Sequence, residues 1–159
     1  MADGKTHSTM SVLVGLSGAG VGYTLLHQPI DACGWFALGG LAAVLLSPDL
    51  DCPAGNISIA LIRKLPVGRF IAKVLSLIWE AYWIPYRWLV GTFTRRTPGV
   101  GDSHRSWLSH LPVIGTALRL AWLLWLPWLV WGWFIPPLPL LYALVACDVA
   151  HSILDSVQW

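Results

Sequence analysis

The chain has 159 residues, 56% hydrophobic and only 11% charged, with a formal net charge of +2 and a mean hydropathy of +0.64. Soluble domains carry about a quarter charged residues, so the composition excludes an ordinary soluble domain and points to an integral membrane protein of one compact domain. No repeat, low-complexity tract or basic–aromatic array suggests nucleic acid. Three Cys without a CxxC pair imply no disulfide framework and read as small apolar fillers.

The N-terminus, "MADGKTHSTM", lacks the basic leader and small-residue cleavage pattern of a secretory signal, so the first apolar run is expected to be a retained helix. A helix needs roughly 17–25 apolar residues to cross the hydrocarbon. Residues 9–27 meet that length, and 33–48, slightly short, follow after the turn "HQPIDA". Gly15, Gly18, Gly20 and Gly22 on the first span, with Gly39 and Gly40 on the second, predict close packing between the two. In 66–93, Arg69, Lys73, Ser76, Glu80 and Arg87 recur at steps of 4, 3, 4 and 7, with Phe70, Val74, Leu77, Ile78 and Trp88 on other faces. That pattern predicts an amphipathic helix lying in the interface, broken or kinked at Pro85. Two further spans are expected at 113–134, where Pro127 introduces a kink, and at 138–156.

The expected fold is therefore an all-α integral membrane protein, with four transmembrane helices and an interfacial amphipathic segment between spans 2 and 3. Eight of the ten Lys and Arg (Arg63, Lys64, Arg69, Lys73, Arg87, Arg95, Arg96, Arg105) lie in the stretch between those spans. By the positive-inside rule, 49–112 and both termini face the cytoplasm, across a cytoplasmic or inner membrane.

On this topology the remaining polar residues converge on one face. His7 opens the first span, Asp49 and Asp51 in "SPDLD" end the second, His104 and His110 precede the third, and Asp148, His151 and Asp155 lie near the end of the fourth. Each fragment has a plainer reading: a capped helix end for "DLD", interface histidines for "HRSWLSH", and a salt bridge to Arg105 or Arg119 for the last helix. Ionisable residues within a membrane segment are costly, however, and mark function. His151 and Asp155 at i, i+4 share a helical face with Asp148 at i−3. Clustered imidazoles and carboxylates without thiolates suit Zn²⁺ first, with Mn²⁺ or Fe²⁺ as alternatives, in one or two ions.

These residues resemble a known group. A Thr-His (Thr6, His7), an apolar run ending in PDLD (Pro48 to Asp51), "WIPYRW" at 83–88, an HR…SH motif (His104, Arg105, Ser109, His110) and a closing HxxxD helix (His151, Asp155) follow one another nearly along the whole chain. In that order they are similar to the YdjM-like membrane-bound metal-dependent hydrolases and a related bacterial metal-binding family. The HxxxD helix is more distantly similar to those of zinc-dependent phospholipases C and fungal nucleases. The resemblance implies a cytoplasm-facing metal centre with His7, Asp49, Asp51, His104, His110, His151 and Asp155 as ligands. Asp148 and Ser109 then serve as outer partners of those ligands. The chain departs from the usual HRG…THS form, with Ser106 in place of Gly, which leaves the backbone geometry of that motif open.

Two functions are compatible with these residues. One is a membrane-embedded metal-dependent hydrolase acting on a phosphoester, such as a lipid headgroup or lipid-linked phosphate, with Asp49 or Asp51 bridging ions or acting as general base. Arg105 would steady the anionic substrate. The other is a non-catalytic metal-binding structural or accessory subunit of a larger membrane assembly. Expected partners are membrane lipids and other membrane proteins or further copies of the chain.

Overall fold

The computed structural model describes residues 4–51, 57–93, 111–132 and 135–157. Among them it is all-helical, with no strand: α1 (Gly4–Thr24), α2 (Ile30–Leu45), a 3₁₀ turn (Pro48–Asp51), α3 (Ile57–Ile62), α4 (Arg69–Phe93), α5 (Pro112–Trp131) and α6 (Leu138–Val157). Two helices, α5 over Pro112–Val130 and α6 over Leu138–Ser156, are long and apolar enough to cross a membrane. The four expected spans thus reduce to two by that measure. α2 is apolar but has only 16 residues, and α1 is diluted by five Gly and by Ser, Thr and His, which its sequence shows spread along all 21 residues.

Local chemistry sets the element ends. α1 terminates in backbone bonds from Leu25 and Leu26 to the Val21 carbonyl and from Gln28 to that of Gly22, with His27 in the left-handed region (φ 49°). Pro29 then caps α2, whose first turn carries Asp31, a favourable charge at the positive end of the helix dipole. Pro48 lacks an N–H and disfavours helix in the residue before it, so α2 gives way to the 3₁₀ turn. Gly68 and Gly132, with φ of 85° and 84°, take the left-handed positions before α4 and after α5 that other residues rarely adopt.

α1, α2 and α6 form the close-packed unit. Alanine-sized side chains at Gly15 and Gly40 would overlap the opposing backbone: a Cβ on Gly40 falls 2.5 Å from Gly15 Cα. Gly39, the adjacent residue, faces α6 instead, where a Cβ would lie 2.6 Å from that of Ala143 and 2.7 Å from the Leu140 carbonyl oxygen. Two consecutive glycines therefore let α2 touch α1 on one side and α6 on the other. The paired contacts Gly15–Gly40 and Gly18–Phe36 run antiparallel. The α1–α6 contacts His7–His151 and Ser11–Cys147 do likewise. α2 and α6 consequently run in the same direction, and their C-terminal ends lie together with the start of α1.

α4 covers this unit from the side. Leu46 and Leu50 from the end of α2 and its turn join Trp83, Tyr86 and Val90 of α4 and Leu144 and Cys147 of α6 in one buried cluster. Tyr82 donates its hydroxyl hydrogen to the Trp122 carbonyl oxygen at 2.6 Å, and the Trp122 indole N–H donates to the Tyr82 carbonyl at 3.0 Å, locking α4 against α5. The expected break at Pro85 is absent: α4 is continuous through it, as α5 is through Pro127. Pro85 lies on the exposed face of α4, so its ring and the carbonyl it deprives of a bond are directed away from packed neighbours.

The polar stripe expected on α4 is exposed at Arg69 and Lys73 but turns inward further along the helix. Ser76 is buried, accepting from Arg63 Nε at 3.4 Å, and Glu80 and Arg87 are half-buried. The exposed face instead carries Phe70, Leu77, Ile78, Ile84 and Trp88. The same inversion holds across the molecule: Leu13, Leu129 and Ile135 are exposed, whereas His7, Thr116, Arg119, Asp148 and His151 are buried.

Candidate metal centre

The first turn of α1 and the last two turns of α6 bring His7, His151 and Asp155 together. The two imidazole rings stack with centroids 3.7 Å apart and planes inclined by 18°. Asp155 lies against both, with Oδ1 3.3 Å from His7 Nε2 and Oδ2 3.4 Å from His151 Nε2. Each residue offers a donor atom, and the three donors all lie within 4.8 Å of one another. Both histidines are 4% exposed.

Two observations test whether this set fits a metal ion. The first is geometric. With metal–nitrogen and metal–oxygen bonds near 2.0–2.1 Å, adjacent ligand atoms of a tetrahedral site are about 3.3 Å apart, and each histidine Nε2 lies at about that distance from one of the two Asp155 oxygens. The second is the state of His7. Neither of its ring nitrogens makes a hydrogen bond, although both are buried. Buried polar atoms in folded proteins are nearly always satisfied, and an ion between the three donors would satisfy Nε2. Among the described residues, two imidazoles and a carboxylate could thus supply three ligands to a divalent cation.

Asp148 is not part of this triangle. One turn deeper on α6, it accepts hydrogen bonds from Thr116 and from Arg119 of α5. The Arg119–Asp148 ion pair is almost completely enclosed, with side-chain exposures of 3% and 6%. Thr116 and Arg119 are one turn apart and are the polar pair of an otherwise apolar α5. That spacing is the sequence signal for Asp148's partners; Arg119 was legible as a possible ion-pair partner and Thr116 was not singled out.

The remaining expected residues divide in two groups. Asp49 and Asp51 sit on the 3₁₀ turn, which follows α2 at the end of the molecule where α6 carries His151 and Asp155. The backbone thus brings the PDLD element to the same end, while the two carboxylate side chains lie outside the described residues. His104, Arg105, Ser109 and His110 also lie outside them.

Compared with models of known families, with curated proteins and with solved structures, the chain gives no match.

Proposed function

We propose that the protein is a four-span integral membrane protein carrying a divalent metal centre at its cytoplasmic end, and that it hydrolyses a phosphoester, with a lipid headgroup or lipid-linked phosphate as the substrate class. The observation that carries this reading is the His7–His151–Asp155 triangle, its two histidines buried, its N···O contacts close to a metal's ligand spacing and its members drawn from α1 and α6. The membrane setting is supported by the two long apolar helices and by the inverted polarity of the surface, since large exposed apolar areas call for a lipid or protein covering. In that setting α1 and α2 cross as well, their low hydropathy offset by the close glycine contacts that membrane helices use. The run of Lys and Arg between α2 and α5 favours the cytoplasmic side for the metal-bearing end.

His7, His151 and Asp155 would hold the cation, Zn²⁺ before Mn²⁺ or Fe²⁺, and Asp49, Asp51, His104 and His110 complete the ligand set for one or two ions. When bound, the cation supplies Lewis acidity toward a phosphoryl oxygen and makes water more acidic. Asp155 would contribute a carboxylate oxygen beside the Nε2 atoms of both histidines. Asp49 or Asp51 would take a proton from the attacking water, and Arg105 would hold the substrate's negative charge. The YdjM-like resemblance of the ordered motifs agrees with this assignment. The deep burial of both histidines favours a second reading, a metal that only staples α1 to α6 within a larger assembly.

Metal analysis of detergent-purified protein, followed by hydrolysis assays on phosphomonoester and phosphodiester probes, tests both readings. Stoichiometric Zn, Mn or Fe that disappears in His7→Ala and Asp155→Ala, together with metal-dependent phosphate release, is the expected outcome. A protein without stoichiometric metal sinks the centre altogether. A metal-loaded protein inert on every phosphoester leaves the staple.

A further inference from the structure

The element "WIPYRW" forms part of α4, and its Trp83 and Arg87 are four residues apart on one face, packed on the 3₁₀ turn that carries Asp49 and Asp51. Arg87 Nε donates to the Leu50 carbonyl at 3.0 Å, between the two aspartates of that turn. Its Nη2 is buried and makes no hydrogen bond. The described residues contribute no ion pair to Arg87 either. Trp83 is fully enclosed, at 0% exposure, and its indole N–H likewise has no acceptor.

Two buried donors without acceptors, one of them charged, are an expensive combination. A buried donor atom left without an acceptor is costly, more so when it belongs to a charged group, and an anionic partner offsets that cost. The Leu50 carbonyl occupies only one edge of the guanidinium fork, and the face left over is the one that binds phosphate or carboxylate oxygens with charge-assisted bonds. Trp adds a donor that cannot accept, so the pair selects an acceptor-only group, an oxyanion. Its position beside the PDLD turn puts that group next to the metal-bearing end of the bundle.

We propose that Trp83 and Arg87 form an oxyanion seat for a phosphate group, with Arg87 Nη2 and Trp83 Nε1 as its donors. The seat is the substrate side of the metal centre and so rests on the phosphoester reading, but it is built from residues that hold no metal. An anionic lipid headgroup and a soluble phosphate are the two sources of such a group, and they share this chemistry.

The test uses full-length protein stripped of metal with chelator, titrated with inorganic phosphate in detergent and followed by calorimetry. A parallel arm compares nanodiscs of phosphatidylcholine with and without phosphatidic acid, read by thermal protection. Wild type is expected to bind phosphate. Arg87→Gln, which keeps a donor for the Leu50 carbonyl but removes the charge, is expected to lose roughly tenfold or more in affinity, the scale of a charge-assisted bond. Trp83→Phe, which keeps the ring, is expected to lose severalfold, and Arg87→Lys to fall between wild type and Arg87→Gln. Protection by phosphatidic acid alone assigns the seat to a lipid headgroup, and binding of inorganic phosphate alone assigns it to a soluble one. Absence of both, or equal binding by wild type and Arg87→Gln, overturns the seat, including the case in which Arg87→Gln only lowers the melting temperature. His151→Ala keeps the two readings apart: phosphate bound without metal retains the seat when the metal centre fails, and metal bound normally by Arg87→Gln retains the centre when the seat fails.

Discussion

Replacing Gly40 with Ala tests whether the metal triangle is held in place by backbone packing two turns away. The added Cβ lies 2.5 Å from Gly15 Cα, 2.9 Å from Gly15 N and 2.9 Å from the Ser11 carbonyl oxygen. All three are backbone atoms, so no rotamer change relieves the overlap. Reaching ordinary contact at 3.4 Å requires α1 and α2 to separate by about 0.9 Å. Ser11 is one turn from His7 on the same rigid helix and touches Cys147, one turn from His151. The displacement therefore passes directly to the His7–Asp155 separation, whereas ligand distances tolerate only about ±0.2 Å. We expect Gly40→Ala to cost about 1–3 kcal/mol, as overpacking does, and to weaken metal binding by roughly 10–100-fold, as disturbed ligand support does. Gly34 lies on the same helix with nothing within 4 Å of its added Cβ. Gly34→Ala should leave metal affinity unchanged and stabilise by about 0.5–1 kcal/mol. Calorimetric Zn²⁺ titration and thermal melting of the detergent-purified variants provide the assay. Wild-type metal affinity in a destabilised Gly40→Ala protein would refute the coupling, and wild-type stability would refute the packing.

Three further outcomes follow from the same geometry. Arg119→Met leaves Asp148 enclosed without its guanidinium and should cost about 3–5 kcal/mol in chemical or thermal unfolding, much of it recovered by the double change Arg119→Met with Asp148→Leu. Tyr82→Phe removes the bond to the Trp122 carbonyl and should cost about 1 kcal/mol, with an altered Trp emission reporting a looser α4–α5 seam. Zn²⁺ at about 100 times its dissociation constant should stabilise wild type by about 2.7 kcal/mol and give no increment in His7→Ala, as a ligand bound only by the folded state requires.

Much of the site was legible because it follows helical spacing. His151 and Asp155 at i, i+4 had to share a face of α6, and the span expected at 138–156 nearly coincides with Leu138–Val157. Gly15 and Gly40 do mark the α1–α2 contact. Gly39 was assigned to that contact as well, but it serves α6, since adjacent residues on a helix point about 100° apart and a third partner cannot be read from two helices. Ser76 shows the limit of the stripe argument on α4. Polarity identified the stripe, but α3 supplies Arg63 and so draws Ser76 inward. Asp148 was placed near the metal because it shares a stripe with His151; its actual partners lie on another helix, and pairing between helices carries no local spacing.

His7 belongs to α1 and His151 and Asp155 to α6. No segment that lacks either helix can bring the three side chains together. Synthesis delivers N-terminal segments first, so α1 is made well before the partner that completes its His7 contacts, and the triangle forms only when α6 has packed against it.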